Sequence, residues 1–326
     1  MKIRVGISGY GNLGRGVEKV IPQNPDMELA AIFTQRDINL NTGVPVYNLK
    51  EAESMKDKID VMILCGGAVK DLPEQGPKFA ALFNTVDSYD NHAKIPEYFE
   101  QVNKAAVNKT AVISTGWDPG LFSVMKMLTG AVLPVGESYA FWGYGLSQGH
   151  SEAMRGINGV KKGSDGKGLA VQYTVPSEKA MEAVRSGANP QLSVRDKHLR
   201  ECYVVPENGA NLEKIASDIK SMPNYFEPYE TIVHFISEEE LTANHSKMPH
   251  GGFVFRSGDT GGNKQIIEFA LKLENNPEFT ASVMVAYARA AVRMSKEGSC
   301  GAKTVFDVPI SYLSPKDSAT LIKELL

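Results

Sequence analysis

Ile3-Arg4-Val5-Gly6-Ile7-Ser8-Gly9-Tyr10-Gly11-Asn12-Leu13-Gly14 decides the fold. Ile3 to Ser8 reads as a short apolar strand, and the glycine pattern follows it directly, at the opening of the helical stretch Leu13 to Ile21. Gly9 permits a tight turn, Gly11 lets backbone approach a pyrophosphate with no Cβ between them, and Gly14 allows close packing of helix on strand. Phosphate is received at the helix N-terminus, where unpaired N–H groups and the helix dipole favour negative charge. These residues predict a dinucleotide-binding half built on a parallel sheet.

Further strands are expected at Glu28 to Phe33, Val61 to Cys65, Asn84 to Asp87 and Ala111 to Ser114, with helices at Pro77 to Leu82 and Ile95 to Ala106. The fourth and fifth strands end in "DSYDNH" and "STGWDPG", loops that fall where an open parallel sheet binds ligand. From about Phe141 the texture changes to glycine-rich loops between extended runs at Ala170 to Val175, Glu201 to Val205 and Thr231 to Phe235. The expected fold class is therefore α/β: a Rossmann-type parallel-sheet domain plus a second α+β domain with a mixed or antiparallel sheet. The first is placed at residues 1–118 and the second at 119–276. Residues 277–326, with a helix at Phe279 to Glu297, are expected to pack back on the first sheet. "KKGSDGKG", residues 161–168, reads as a solvated surface loop.

The 326 residues are 42% hydrophobic and carry a formal charge of -3, with the charges scattered, which gives nucleic acid or an anionic membrane no electrostatic purchase. Neither a signal-peptide pattern nor a run of about 20 apolar residues is present, so a cytoplasmic protein is expected. Cys65, Cys202 and Cys300 show no paired spacing and read as structural thiols; no metal motif is found.

The second strand ends in "IFTQRD". Where an acid would bind the ribose of NAD stand Thr34, Gln35 and Arg36, and a planar guanidinium suits a 2′-phosphate, which favours NADP. The alternative is that Arg36 points into solvent and Asp37 takes the ribose. Asp90 and Asp118 stand on strand-end loops that can reach the nicotinamide and are the choices for general acid or base, with Asp118 ranked above Asp90. Either can instead serve a turn or a helix cap. Trp142, Gln148, His150, His250 and Asn276 supply an apolar wall with oriented polar groups, or else core and turn residues; Arg200 can clamp a carboxylate, but by itself reads as a surface arginine like most others.

Taken together, "GYGNLGRGVEK", "TVDSYDNH", "STGWDPG", "FWGYGLSQGHS", "MPHGG" and "SGDTGG" resemble meso-diaminopimelate dehydrogenase in the same order and nearly end to end. The resemblance implies an NADP-dependent oxidative deamination at the D-centre of meso-2,6-diaminopimelate, giving L-2-amino-6-oxopimelate, ammonia and NADPH, reversible in lysine biosynthesis. It further implies a homodimer whose second domain binds substrate and dimerises. Tyr10, Gly11, Asn12 and Leu13, with the flanking Gly9 and Gly14, would line NADP. So would Thr34, Gln35, Arg36, Cys65, Gly66, Gly67, Ala68, Ser88, Tyr89, Asp90, Thr115, Gly116, Trp117, Asp118 and Pro119. Asp90, Asp118, Trp142, Gln148, Gly149, Thr174, Arg200, His250 and Asn276 would line the substrate, a zwitterion that needs both anionic and cationic partners. Gln35 departs from the family pattern, which carries a second arginine there, and predicts a weaker phosphate clamp. The 161–168 segment is longer than the family's loop. Two rival readings are a dihydrodipicolinate reductase, which would need a different second domain, and a nucleotide sensor without turnover.

Overall fold

The computed structural model describes residues 1–36, 43–223 and 225–326. They form two compact units, Met1–Val124 with Pro277–Leu326, and Met125–Asn276.

In the first unit, strands β1 (Ile3–Ser8), β2 (Met27–Thr34), β3 (Val46–Asn48), β4 (Val61–Leu64), β5 (Asn84–Asp87) and β6 (Thr110–Val112) join the strand Gly301–Lys303 in one sheet. Its order is Gly301–Lys303, β6, β5, β4, β1, β2, β3, and all the pairings are parallel. The central β4, Val-Met-Ile-Leu, is buried throughout, as a parallel strand covered on both faces must be. On one face Val5, Ile7, Val61 and Ile63 pack with helix α1 (Asn12–Val20) and the long helix Asn276–Lys296. On the other, Phe33, Met62 and Leu64 pack with α2 (Leu72–Ala80) and α3 (Ile95–Ala105).

The long helix thus covers the first sheet. Arg289, 1% exposed, secures it through a bidentate contact to Asp26 at 2.7 and 2.8 Å and a third bond to the Leu313 carbonyl at 2.8 Å. Leu121 and Val124, at the start of α4 (Leu121–Val132), join the same core, so the first unit runs past residue 118.

Two expectations need correction. The helix placed at Pro77 to Leu82 spans Leu72–Ala80, with Pro73 near its start and Pro77 inside. Pro77 sits only just beyond the first turn, so its missing N–H forfeits one bond, to the Pro73 carbonyl. β3 was absent from the predicted strands because three residues on an outer edge show no readable alternation.

The second unit holds two sheets. Strands β7 (Gly136–Trp142), β8 (Gly145–Leu146), β9 (Ala170–Pro176), β10 (His198–Val204), β11 (Glu230–Phe235), β12 (His250–Thr260) and β13 (Asn263–Leu273) divide into a mixed sheet β11-β10-β9-β8 and an antiparallel sheet β13-β12-β7. Helix α5 (Gln148–Arg155) lies on β9. Ala170, Cys202, Val204 and Phe226 form the mixed sheet's core, while Phe141, Met181 and Phe255 form that of the antiparallel sheet. The 161–168 stretch closes through a Lys162–Gly168 bridge and remains largely exposed, as its composition predicts. Among the described residues no helix is long and apolar enough to cross a membrane, and no cluster fit to hold a metal is found.

Candidate active site

In the first unit the turn after β1 has the geometry its glycines predict. Gly9 adopts φ +93, a conformation L side chains resist, and a Cβ on Gly14 would lie 2.2 Å from the Gly9 carbonyl oxygen. Gly11 begins α1 with no side-chain cap and no acid in the first turn, and a Cβ there would meet nothing within 4 Å. The N-terminus of α1 is therefore a cradle of the shape and polarity that a pyrophosphate fits.

At the end of β2, Thr34 Oγ1 accepts from the Arg36 N–H at 3.2 Å, and the Arg36 guanidinium folds back to donate to the Tyr10 carbonyl. Arg36 is thus held against the glycine turn. Asp37, the alternative ribose ligand, lies outside the described residues. Beside Gln35 a cavity of about 520 Å³ is lined by Asn48, Lys50, Lys70, Gln75 and Lys78. The motif reading missed these lysines because they come from three separate stretches, after β3, before α2 and on α2.

Cys65, Gly66, Gly67 and Ala68 lead from β4 to α2, and Gly67 donates its N–H to Asp71 at 2.8 Å. Burial pushes the Cys65 and Cys202 thiols up, the latter to about 12, in keeping with structural roles. Cys300 is exposed.

The loop Ser88, Tyr89, Asp90 after β5 and the loop Thr115, Gly116, Trp117, Asp118, Pro119 after β6 are joined by Asp87. Its Oδ1 accepts from the Tyr89 and Ser114 N–H groups, both at 3.0 Å, and its carbonyl accepts from the Thr115 N–H and hydroxyl, both at 2.8 Å. Ser114 stands at φ +56, a strained conformation that this network holds. Asp90 sits at its loop's exposed tip, yet desolvation by the surrounding protein raises its pKa, with His92 opposing. Asp118 is half-buried in a tight turn, cis to Pro119, where Trp117 packs edge-on to Phe122 at 5.3 Å. The Gly120 N–H at this turn is taken by Ser123 Oγ at 3.2 Å.

The second unit gathers most of the remaining predicted residues. Arg200, 1% exposed, donates to the Thr174 hydroxyl and lies 3.9 Å from the centroid of the Tyr229 ring. Its Nε finds no protein partner, no acid pairs with it among the described residues, and desolvation lowers its pKa. A buried cation without an anion is costly unless a ligand supplies one. The Trp142 N–H donates to His198 Nε2 at 2.9 Å, and the two rings stack at 5.1 Å. Gln148, opening α5, donates to Met248 Sδ at 3.3 Å, and the Asn276 N–H donates to the Met248 carbonyl at 2.9 Å, so both residues converge on Met248. Gly149 leaves open space at its Cβ position. His250 accepts from the Gly251 N–H at 2.9 Å and sits so close to Gly145 that a Cβ there would lie 2.5 Å from its ring.

His150 packs among aromatic side chains. Its Nδ1 meets Ser147 Oγ at 2.8 Å and its ring packs edge-on to Tyr225 and Phe226. Burial, then the Arg200 charge, lowers its pKa to about 4. His198, Tyr229 and Met248 escaped the sequence reading, since only long-range pairing brings them to the candidate residues.

Residues 116–275 match the model of the diaminopimelic acid dehydrogenase C-terminal domain. A dihydrodipicolinate reductase would need a different second unit. The meso-diaminopimelate D-dehydrogenase of Ureibacillus thermosphaericus is 61% identical over 100% of this chain and 99% of its own. The Corynebacterium glutamicum diaminopimelate dehydrogenase, solved in complex with diaminopimelate, superposes with a TM-score of 0.91 at 47% identity, covering 100% of this chain and 99% of that one. An engineered D-amino acid dehydrogenase bound to NADP+ gives 0.87 at 45%, with both chains fully covered. With identity at this level running the whole length of both units, the chain belongs to the meso-diaminopimelate D-dehydrogenase family.

Proposed function

We propose that the protein catalyses the reversible NADP-dependent oxidative deamination of the D-centre of meso-2,6-diaminopimelate to L-2-amino-6-oxopimelate and ammonia, as a cytoplasmic homodimer serving lysine biosynthesis. The observation that carries this reading is Arg200: a buried guanidinium without an acidic partner, bonded to Thr174, is built to receive a carboxylate.

NADP, when bound, supplies the acceptor for the hydride leaving the D-carbon. The chain's own residues do the rest. The α1 N-terminus holds the pyrophosphate, and Thr34, Gln35 and Arg36 take the 2′-phosphate end, the latter two as donors of amide and guanidinium N–H. Asp90 and Asp118 hold the reacting ammonium, remove its proton as the carbon becomes trigonal and stabilise the resulting iminium until water adds and ammonia departs. The raised pKa of Asp90 suits a group that must carry a proton in turnover. Arg200, with Thr174 and His250, clamps a carboxylate; Trp142, Gln148, Gly149 and Asn276 shape the remaining wall.

Incubation with NADP and each diaminopimelate stereoisomer at alkaline pH tests this, by absorbance of the reduced cofactor and release of ammonia. Turnover confined to the meso isomer is expected. Tight NADP binding without turnover of any isomer overturns the reading in favour of a nucleotide sensor.

A further inference from the structure

Gln172 is fully buried on β9, and neither atom of its side-chain amide has a hydrogen-bond partner among the described residues. Its backbone is satisfied, the N–H by Ser151 Oγ at 3.0 Å and the carbonyl by the Ser147 N–H at 3.0 Å, so the deficit belongs to the side chain alone. Such a group is costly to bury and rare in folded proteins unless something else meets it.

Register shows where it stands. Thr174 faces Arg200 across the β9–β10 ladder, Gln172 faces Cys202, and Arg200 faces Thr231 on β11. Since alternate residues share a face, Gln172, Thr174, Arg200, Cys202 and Thr231 lie on one side of the sheet. Cys202 belongs to the apolar core there, which leaves Gln172 at the boundary between that core and the polar end occupied by Arg200. Among the described residues the other orphaned atoms of this face are Arg200 Nε, Thr231 Oγ1 and His198 Nδ1. Unmet polar atoms therefore concentrate around one guanidinium.

We infer that Gln172 is a specificity-determining residue that reads the α-amino-acid head group whose carboxylate Arg200 clamps, an inference that rests on the function proposed above. Nε2–H donates to the carboxylate beside the guanidinium, and Oε1 accepts from the neighbouring ammonium. Arg200 cannot recognise an ammonium, because a guanidinium only donates, and one of the two acceptor sites of the Thr174 hydroxyl is already taken by it. The span fits: residues two apart on a strand are roughly 7 Å apart, a distance that a glutamine side chain and an amino-acid head group bridge together.

Gln172→Leu removes the amide at similar volume, and Gln172→Met repeats the test with a more adaptable side chain. With both, KM for meso-diaminopimelate is expected to rise on the order of tenfold or more, as for a lost hydrogen bond to a charged group. The turnover number and the NADP dissociation constant should stay within about twofold, and the melting temperature without substrate should hold or rise, because an unmet buried amide has been removed. An unchanged KM in either folded variant overturns the inference, as does a fall in melting temperature with KM unaltered, which marks a merely structural glutamine. A wild-type protein that binds NADP but turns over no diaminopimelate overturns the underlying function, and this inference with it.

Discussion

The Tyr98 hydroxyl donates to Oδ2 of Asp87 at 2.8 Å, leaving Oδ1 to hold the Tyr89 and Ser114 N–H groups. Gly76 on α2 makes room for this contact, since a Cβ there would fall 2.0 Å from the Tyr98 oxygen. One buried carboxylate thus fixes the starts of both loops that carry Asp90 and Asp118. Tyr98→Phe strands Oδ2 and should cost about 1–3 kcal/mol, seen as a lower melting temperature in calorimetry, while the turnover number changes little. Asp87→Ala releases both loops and should lower the turnover number at least tenfold, on the order of what general acid–base groups contribute when misplaced. Wild-type turnover in Asp87→Ala would show that the loops are positioned by other contacts.

The two carboxylates themselves should separate from the binding machinery. Asp118→Asn and Asp90→Asn are each expected to reduce turnover by about 10²–10⁴, the usual contribution of a general base, with NADP affinity retained in fluorescence titration. The larger loss is expected for Asp118→Asn. Should either variant lose NADP binding in parallel with turnover, that aspartate belongs to the cofactor site instead of the proton path.

What was legible in the sequence was what depends on local geometry. The Gly9 to Gly14 turn could be read because its positive φ and close packing exclude other residues, and β4 because a doubly covered strand is continuously apolar. Short or atypical elements were not: β3 has three residues, α4 is apolar around much of its circumference, and Pro77 lies within a helix. The site divided in the same way. Arg200 looks like any surface arginine until β9 and β11 flank it, and only the family resemblance raised it above that reading. Gln172 and His198 carry no local signal at all, because the partner of His198, Trp142, lies 56 positions away in sequence and the Gln172 side chain has none among the described residues.

On the proposed function, cofactor preference turns on the two residues after Thr34. Arg36→Ala should weaken NADP binding on the order of tenfold, the scale of one charge-assisted pair, and leave NAD nearly unchanged. Gln35→Arg should tighten NADP and steepen its dependence on salt, since it adds a second cation beside the cavity lined by Lys50, Lys70 and Lys78. Calorimetric titration of both nucleotides at two ionic strengths checks this. Equal loss of NADP and NAD affinity in Arg36→Ala would mean that its bond to the Tyr10 carbonyl shapes the turn and does not read the 2′-phosphate.

Acid stability should report the two buried histidines. Burial holds His150 at about 4 and His198 at about 3, against 6.5 for an ordinary histidine, so the native state resists protons that the unfolded chain accepts. With the folded pKa depressed, the unfolded state binds more protons between the two values, and stability rises with pH across that window. The contribution is complete above about pH 6.5 and is lost as pH falls toward about 4 for His150 and about 3 for His198. Urea unfolding at pH 7, 5.5 and 4.5 should therefore show a midpoint that drops steeply below 6.5. His150→Gln removes one of the titrating groups and should flatten that slope, even though losing the Ser147 contact lowers stability at pH 7. A variant whose midpoint falls as steeply with acid as wild type would show that His150 does not titrate in this range.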